Sequence, residues 1–181
     1  MVEKERRRKL ALHLRHFAAG LTTNDEFEDR VTDDVSFNWL PEQYYRSKKA
    51  QSDDPAIRPM LELGWCMYSD LERHKLTGSR KPTDEERKRI ACWILFLHSD
   101  LEYEWPCMDM VNPFLRRPFI EDLLNIFTLG LYYLLFQKTK CEAEAEQELE
   151  AFKSAGDYDY WPFISKVQYE EELKNQPFLT G

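Results

Sequence analysis

Three carboxylates stand at alternate positions ahead of Trp105: Asp100, Glu102 and Glu104, with Tyr103 set among them. On a helix Asp100 and Glu104 lie side by side, and on an extended strand all three share one face. Carboxylates gathered in this way can act as an acid and base pair where their surroundings separate their pKa values. They can equally hold a divalent cation, or meet cationic side chains such as Arg116 and Arg117. A second run of the same character, Asp157-Tyr158-Asp159-Tyr160, leads into Trp161-Pro162 as the first leads into Trp105-Pro106. Catalysis needs a convergence of groups that neither run displays by itself. Acidic charge interleaved with large rings is instead the make-up of a recognition surface. The charge steers a basic partner and the rings anchor it. On this reading Asp100, Glu102, Tyr103, Glu104, Trp105, Asp157, Tyr160 and Trp161 are the interaction candidates.

The histidines offer less. His13 and His16 stand three apart on an expected helix, so both can face one ligand, and the acidic cluster Asp25, Glu26, Glu28 and Asp29 follows after a turn. With no HExxH and no paired cysteines, His13 and His16 are only weak metal candidates, and neither a metal nor a cofactor is expected. His13 reads as half-buried beside Leu14 and His16 as a surface residue. His98 and His74 read as end-of-helix residues that complement the dipole. Cys66, Cys92, Cys107 and Cys141 form no CxxC pair, and the neighbours of Cys66 and Cys92 mark small buried apolar residues of a reduced, cytoplasmic chain. GxGxxG, GxxxxGK[ST], GxSxG and EF-hand patterns are absent, so the common dinucleotide, P-loop, hydrolase and calcium readings have no support.

Composition sets the frame for these residues. The chain has 181 residues, 33 acidic against 25 basic for a net charge of −8, 43% apolar and 14% aromatic, with 6 glycines. An apolar fraction near the ~45–50% of soluble domains supports a real core, while few glycines argue against turn-rich all-β classes. The acidic balance disfavours nucleic acid, whose phosphates need concentrated Lys and Arg. The charge is uneven: residues 1–16 hold six basic against two acidic groups, 23–34 hold one against six, and 141–159 one against seven. Arg6-Arg7-Arg8-Lys9 reads as a solvated basic end. His13, Arg15 and His16 interrupt any signal-peptide core. In the apolar stretch 120–136, which contains Glu121, Asp122 and Asn125, the uncharged apolar run from Ile126 to Phe136 is only eleven residues, against the ~20 a span needs, so a membrane span is not expected; Tyr132, Tyr133, Lys138 and Lys140 keep peripheral contact open.

The elements that must position these groups are helical. Leu10, Leu14, Phe17 and Leu21 recur at helical spacing from about Lys4, with Arg7, Lys9 and Arg15 read as off that stripe and Gly20 as the stop. Thr23 with Glu26 forms a capping box that opens a short helix to about Val31. Val35, Phe37 and Trp39 alternate as one short strand would, Tyr44 and Tyr45 begin a short helix, and Ser47 to Asp54 reads as a mobile loop. A third helix is expected from Pro55 or Pro59 through Leu71 and Leu76, ending at His74, Lys75 and Gly78. A second capping box, Thr83 with Glu86, opens a fourth that runs to Trp105 and stops at Pro106. An apolar helix over 119–138, a glutamate-rich helix over 142–150 broken at Gly156, and a short helix near 168–174 complete the expectation. The fold class is mainly α, a single helical domain over 1–181 with long irregular connections, at most minor β content, and 157–181 as a docked tail.

Several strings, Thr23-Asn24-Asp25-Glu26-Phe27-Glu28-Asp29, Ile94-Leu95-Phe96-Leu97, Ser99-Asp100-Leu101-Glu102-Tyr103-Glu104-Trp105-Pro106 and Gly156-Asp157 with Trp161-Pro162-Phe163, resemble an uncharacterised family of small bacterial proteins. The resemblance spans most of the chain and implies a bacterial source and one shared domain, but no activity and no catalytic residue. The functional expectation is a non-enzymatic interaction or regulatory module, immunity-like in kind, with an unidentified protein partner. The alternatives are a metal-binding or carboxylate-based hydrolytic enzyme, and a peripheral membrane protein.

Overall fold

The computed structural model describes residues 2–36, 53–69, 71–106 and 138–176. It contains α1 (Lys4–Ala18), α2 (Asn24–Asp34), α3 (Ile57–Trp65), α4 (Asp84–His98), α5 (Lys138–Ser154) and α6 (Lys166–Asn175), with 3-10 turns at Gly78–Arg80 and Tyr158–Tyr160. Helix accounts for 63% of the described residues, and an isolated bridge between Thr23 and Lys75 stands where a sheet would be. The chain is mainly α. Packing groups it into two compact units, residues 1–104 with 157–181, and residues 105–156.

Local chemistry explains where several helices begin and end. Thr23 and Thr83 each accept the N–H of the glutamate three residues on, and that glutamate returns to the threonine N–H, so both expected capping boxes are present. Gly20 closes α1 at φ +68°, with its N–H on the Phe17 carbonyl and the Leu21 N–H on the His16 carbonyl. That pair of bonds satisfies carbonyls the last turn would otherwise leave bare. Ser165 caps α6 through Gln168.

In the first unit α1 lies against α2, α3 and α4. Leu10, Leu14 and Phe17 are fully buried, as are Val31, Ile57, Met60 and Leu61. Phe17 stacks on Phe27 at 4.8 Å, and Tyr68 meets both rings edge-on. In the second unit Trp105 packs on Phe152 at 4.8 Å.

Two helices are shorter than their hydrophobic patterns imply. The third ends at Trp65, and Leu71, expected on its apolar face, is 94% exposed. Asn24 explains the change. Its side-chain amide donates to the Ser69 and Glu72 carbonyls and accepts the His74 N–H, holding Ser69, Glu72 and His74 as non-helical chain on the start of α2. The fourth ends at His98 rather than Trp105, because the Ser99 hydroxyl donates to the Phe96 carbonyl and accepts the Leu101 N–H, turning the chain into extended backbone. Phe37, Trp39, Tyr44, Tyr45 and residues 107–137 lie outside the described residues, as do the helix and strand expected there, while Val35 closes α2 in helical conformation. No described helix is long and apolar enough to cross a membrane.

Candidate functional site

α4 and the segment after it carry one acidic-aromatic run, and the approach to α6 carries the other. Tyr103 and Trp161 join them. The Trp161 indole N–H donates to the Tyr103 hydroxyl at 3.2 Å, and the rings meet edge-on with centroids 6.3 Å apart. Trp93 packs on Trp161, Phe96 packs on both Tyr103 and Phe163, and Tyr169 packs on Phe163 and Tyr160. The rings therefore act first as a mortar between segments; Tyr103 and Trp105 are buried, Trp161 and Tyr160 half-buried.

The carboxylates stay outside. Asp100, Glu102, Glu104, Asp157 and Asp159 are all exposed, and Tyr158 is 51% exposed beside the last two. Asp100 accepts from the Lys4 ammonium at 2.6 Å, a surface pair. Asp157 shapes its own turn, donating its backbone N–H to the Ile164 carbonyl and accepting the Tyr160 N–H. The seven interaction candidates of the first unit thus divide by depth: rings inward, acids outward. Trp105 belongs with Phe152 in the second unit.

His13 is buried on α1, its Nε2 2.8 Å from Asp34, which also receives the Lys9 ammonium at 3.1 Å. Burial pushes the imidazole below its ordinary pKa and outweighs the upward pull of Asp34; Arg30 and His16 add to the lowering. His13 is therefore neutral at pH 7 and donates Nε2–H to the carboxylate, which the Lys9 and His13 bonds hold below the usual range. His13 is deeper than expected, its imidazole is committed to Asp34, and His16 is half-exposed. No trio of His, Cys, Asp or Glu among the described residues is placed to hold a metal ion.

The N-terminal basic run is not the solvated end expected from its sequence. Arg6 and Arg7 are buried, at 5% and 0% exposure. Arg7 holds Asp54 in a two-pronged grip, Nε to Oδ2 at 2.6 Å and Nη2 to Oδ1 at 2.8 Å, gives Nη1 to the Leu101 carbonyl, and lies 5.3 Å over the Phe96 ring. Arg6 donates to Asp53 at 2.7 Å and to the Val35 carbonyl at 2.6 Å. Asp54 also accepts the Glu3 and Ala56 N–H groups. Burial pushes its carboxyl up, but these donors outweigh it and hold the pKa below the ordinary value. Asp53 and Asp54 are thus ordered rather than part of a mobile loop. The missed signal was helical phase: Arg7, Leu10, Leu14 and Phe17 follow i, i+3, i+7, i+10, so Arg7 lies on the apolar stripe, not off it.

Of the cysteines, Cys66 is exposed, against expectation, because it falls just past the end of α3. Cys92 is half-buried with its thiol pushed up to about 12 by burial and aimed at the Tyr160 carbonyl. Cys107 lies outside the described residues. Two hollows, about 400 Å³ beside Glu3, Arg6, Lys9 and Asp34 and about 560 Å³ beside Ala18, Leu76, Lys81 and Arg87, open widely to solvent. Neither is lined by the acidic-aromatic candidates. The chain matches no protein-family model, no curated protein and no solved structure, in keeping with a likeness that carries no activity with it.

Proposed function

We propose that the protein is a non-enzymatic interaction or regulatory module that presents an acidic surface to a basic protein partner, from a bacterial and cytoplasmic setting. The observation that supports this reading most is the Trp161–Tyr103 contact, which ties two acidic segments far apart in sequence to one aromatic cluster. Asp100, Glu102 and Glu104 then lie on one segment and Asp157 and Asp159 on the other, exposed on a rigid base. Fixed charges on a rigid base steer a partner with little ordering cost on binding. Tyr158, 51% exposed among them, adds aromatic surface beside the acids, while the buried rings keep the segments in place.

A pull-down at low and moderate salt, run beside a variant with Glu102→Gln, Glu104→Gln, Asp157→Asn and Asp159→Asn, tests the reading. Retention of a basic protein that weakens with salt and is lost in the variant is expected. If nothing is retained at either salt while the purified chain turns over a small molecule, the enzymatic alternative takes its place.

A further inference from the structure

The two hollows differ in charge. The one beside Glu3 and Asp34 is lined by three acidic and three basic residues, so its charges answer one another. The described lining of the other holds Lys81 and Arg87 and no carboxylate. Three stretches far apart in sequence build it: the end of α1 at Ala18 and Ala19, the chain through the 3-10 turn from Leu76 to Lys81, and the start of α4 at Arg87. Arg87 is matched by Asp84 and also donates to the Pro82 carbonyl. Lys81 is exposed and has no carboxylate partner among the described residues, and the Thr77 hydroxyl in the same lining has no hydrogen-bond partner among them. In a chain of net charge −8, this hollow is left with one positive charge over.

The rest of the lining is largely apolar. Leu76 is buried, and Ala18 and Ala19 add their methyl groups. A volume of about 560 Å³ lies within the ~300–1,000 Å³ of small-molecule sites. We propose that this hollow binds a small apolar carboxylate, a molecule with one negative charge and a short hydrocarbon tail. The carboxylate meets the Lys81 ammonium and the Thr77 hydroxyl, a charge-assisted pairing. The tail rests on Leu76, Ala18 and Ala19, because α1 ends at Ala18 and its dipole disfavours an anion there. One negative charge fits better than the two of a phosphate monoester, since Arg87 already has Asp84. None of these residues belongs to the acidic surface, so the site stands independently of any partner bound there.

Titration of the isotope-labelled full chain with hexanoate, followed by NMR, tests this. Amide shifts that saturate and cluster at Ala18, Ala19, Thr77, Gly78 and Lys81 are expected, with a Kd of about 1 mM. Lys81→Glu should weaken binding at least about tenfold, because it sets two carboxylates together. Lys88→Glu makes the same charge change on an exposed residue outside the hollow, and should leave Kd within about twofold. Both positions are exposed, and amide spectra that keep their dispersion confirm that each variant is folded. Hexanol keeps the tail without the charge, and acetate the charge without the tail; each should bind at least about tenfold more weakly. Absent or scattered shifts, equal losses in the two lysine variants, or hexanol or acetate as tight as hexanoate would each overturn the proposal.

Discussion

Arg7 and Asp54, separated by 47 residues, are joined by two parallel hydrogen bonds at full burial, so the N-terminal helix and the entry to α3 are locked through one charged pair. Removing one member of such a pair leaves the other charged and dry. Asp54→Ala should therefore destabilise the protein by about 3–5 kcal/mol, read from urea unfolding. Lys4→Ala, which breaks the exposed pair with Asp100, should change stability by less than about 1 kcal/mol. Equal effects from the two would show that Arg7 and Asp54 do not form the buried lock.

Acid should weaken the fold before its carboxylates titrate. His13 and His98 both have folded pKa values below the ordinary 6.5, so the unfolded chain binds more protons just below that value. Their contribution is complete above about pH 6.5 and is lost as pH falls toward the lowered folded values. His13→Gln should flatten part of the stability change between neutral pH and pH 5, leaving the His98 part in place. Asp34 and Asp54, held below the ordinary carboxylate value of 3.8, add a second loss only in stronger acid.

Gly20 and Gly78 both have positive φ, yet their surroundings differ. A Cβ on Gly20 would lie 2.7 Å from Thr77 Cγ2 and 3.1 Å from the Leu76 carbonyl oxygen, whereas one on Gly78 meets nothing within 4 Å. Gly78→Ala should cost only the left-handed strain, about 1 kcal/mol, and Gly20→Ala about 2–3 kcal/mol once the clash is added. Thermal unfolding of both variants gives the comparison.

Tyr103→Phe keeps the ring packing and removes the acceptor for the Trp161 N–H. The loss should be about 1 kcal/mol, with a change in Trp161 fluorescence as its indole loses the hydroxyl. A variant as stable as the unchanged chain would mean that the contact does not hold the two acidic segments together.

Thiol chemistry should separate the cysteines. Cys66 is exposed, and Cys92 is a thiol whose pKa burial raises to about 12. Peptide mapping after brief iodoacetamide treatment at neutral pH should find Cys66 alkylated and Cys92 slower by about 100-fold, since the thiolate is the reacting form. Comparable labelling would place Cys92 at the surface.

Local signals in the sequence determined the helical class, the starts of α2 and α4 and the stop at Gly20. Thr23 with Glu26, Thr83 with Glu86, and a left-handed glycine each act within a few residues, so they can be read without knowing what lies opposite. The ends of α3 and α4 were decided elsewhere: Asn24 holds Glu72 and His74 out of the helix, and Ser99 turns the chain that Arg7 then receives at Leu101. The depth of Arg6 and Arg7 and the union of Tyr103 with Trp161 were likewise tertiary outcomes. Their partners lie 47 and 58 residues away, and a charge can be buried, or an acidic run given a rigid base, only where folding brings such a partner into contact.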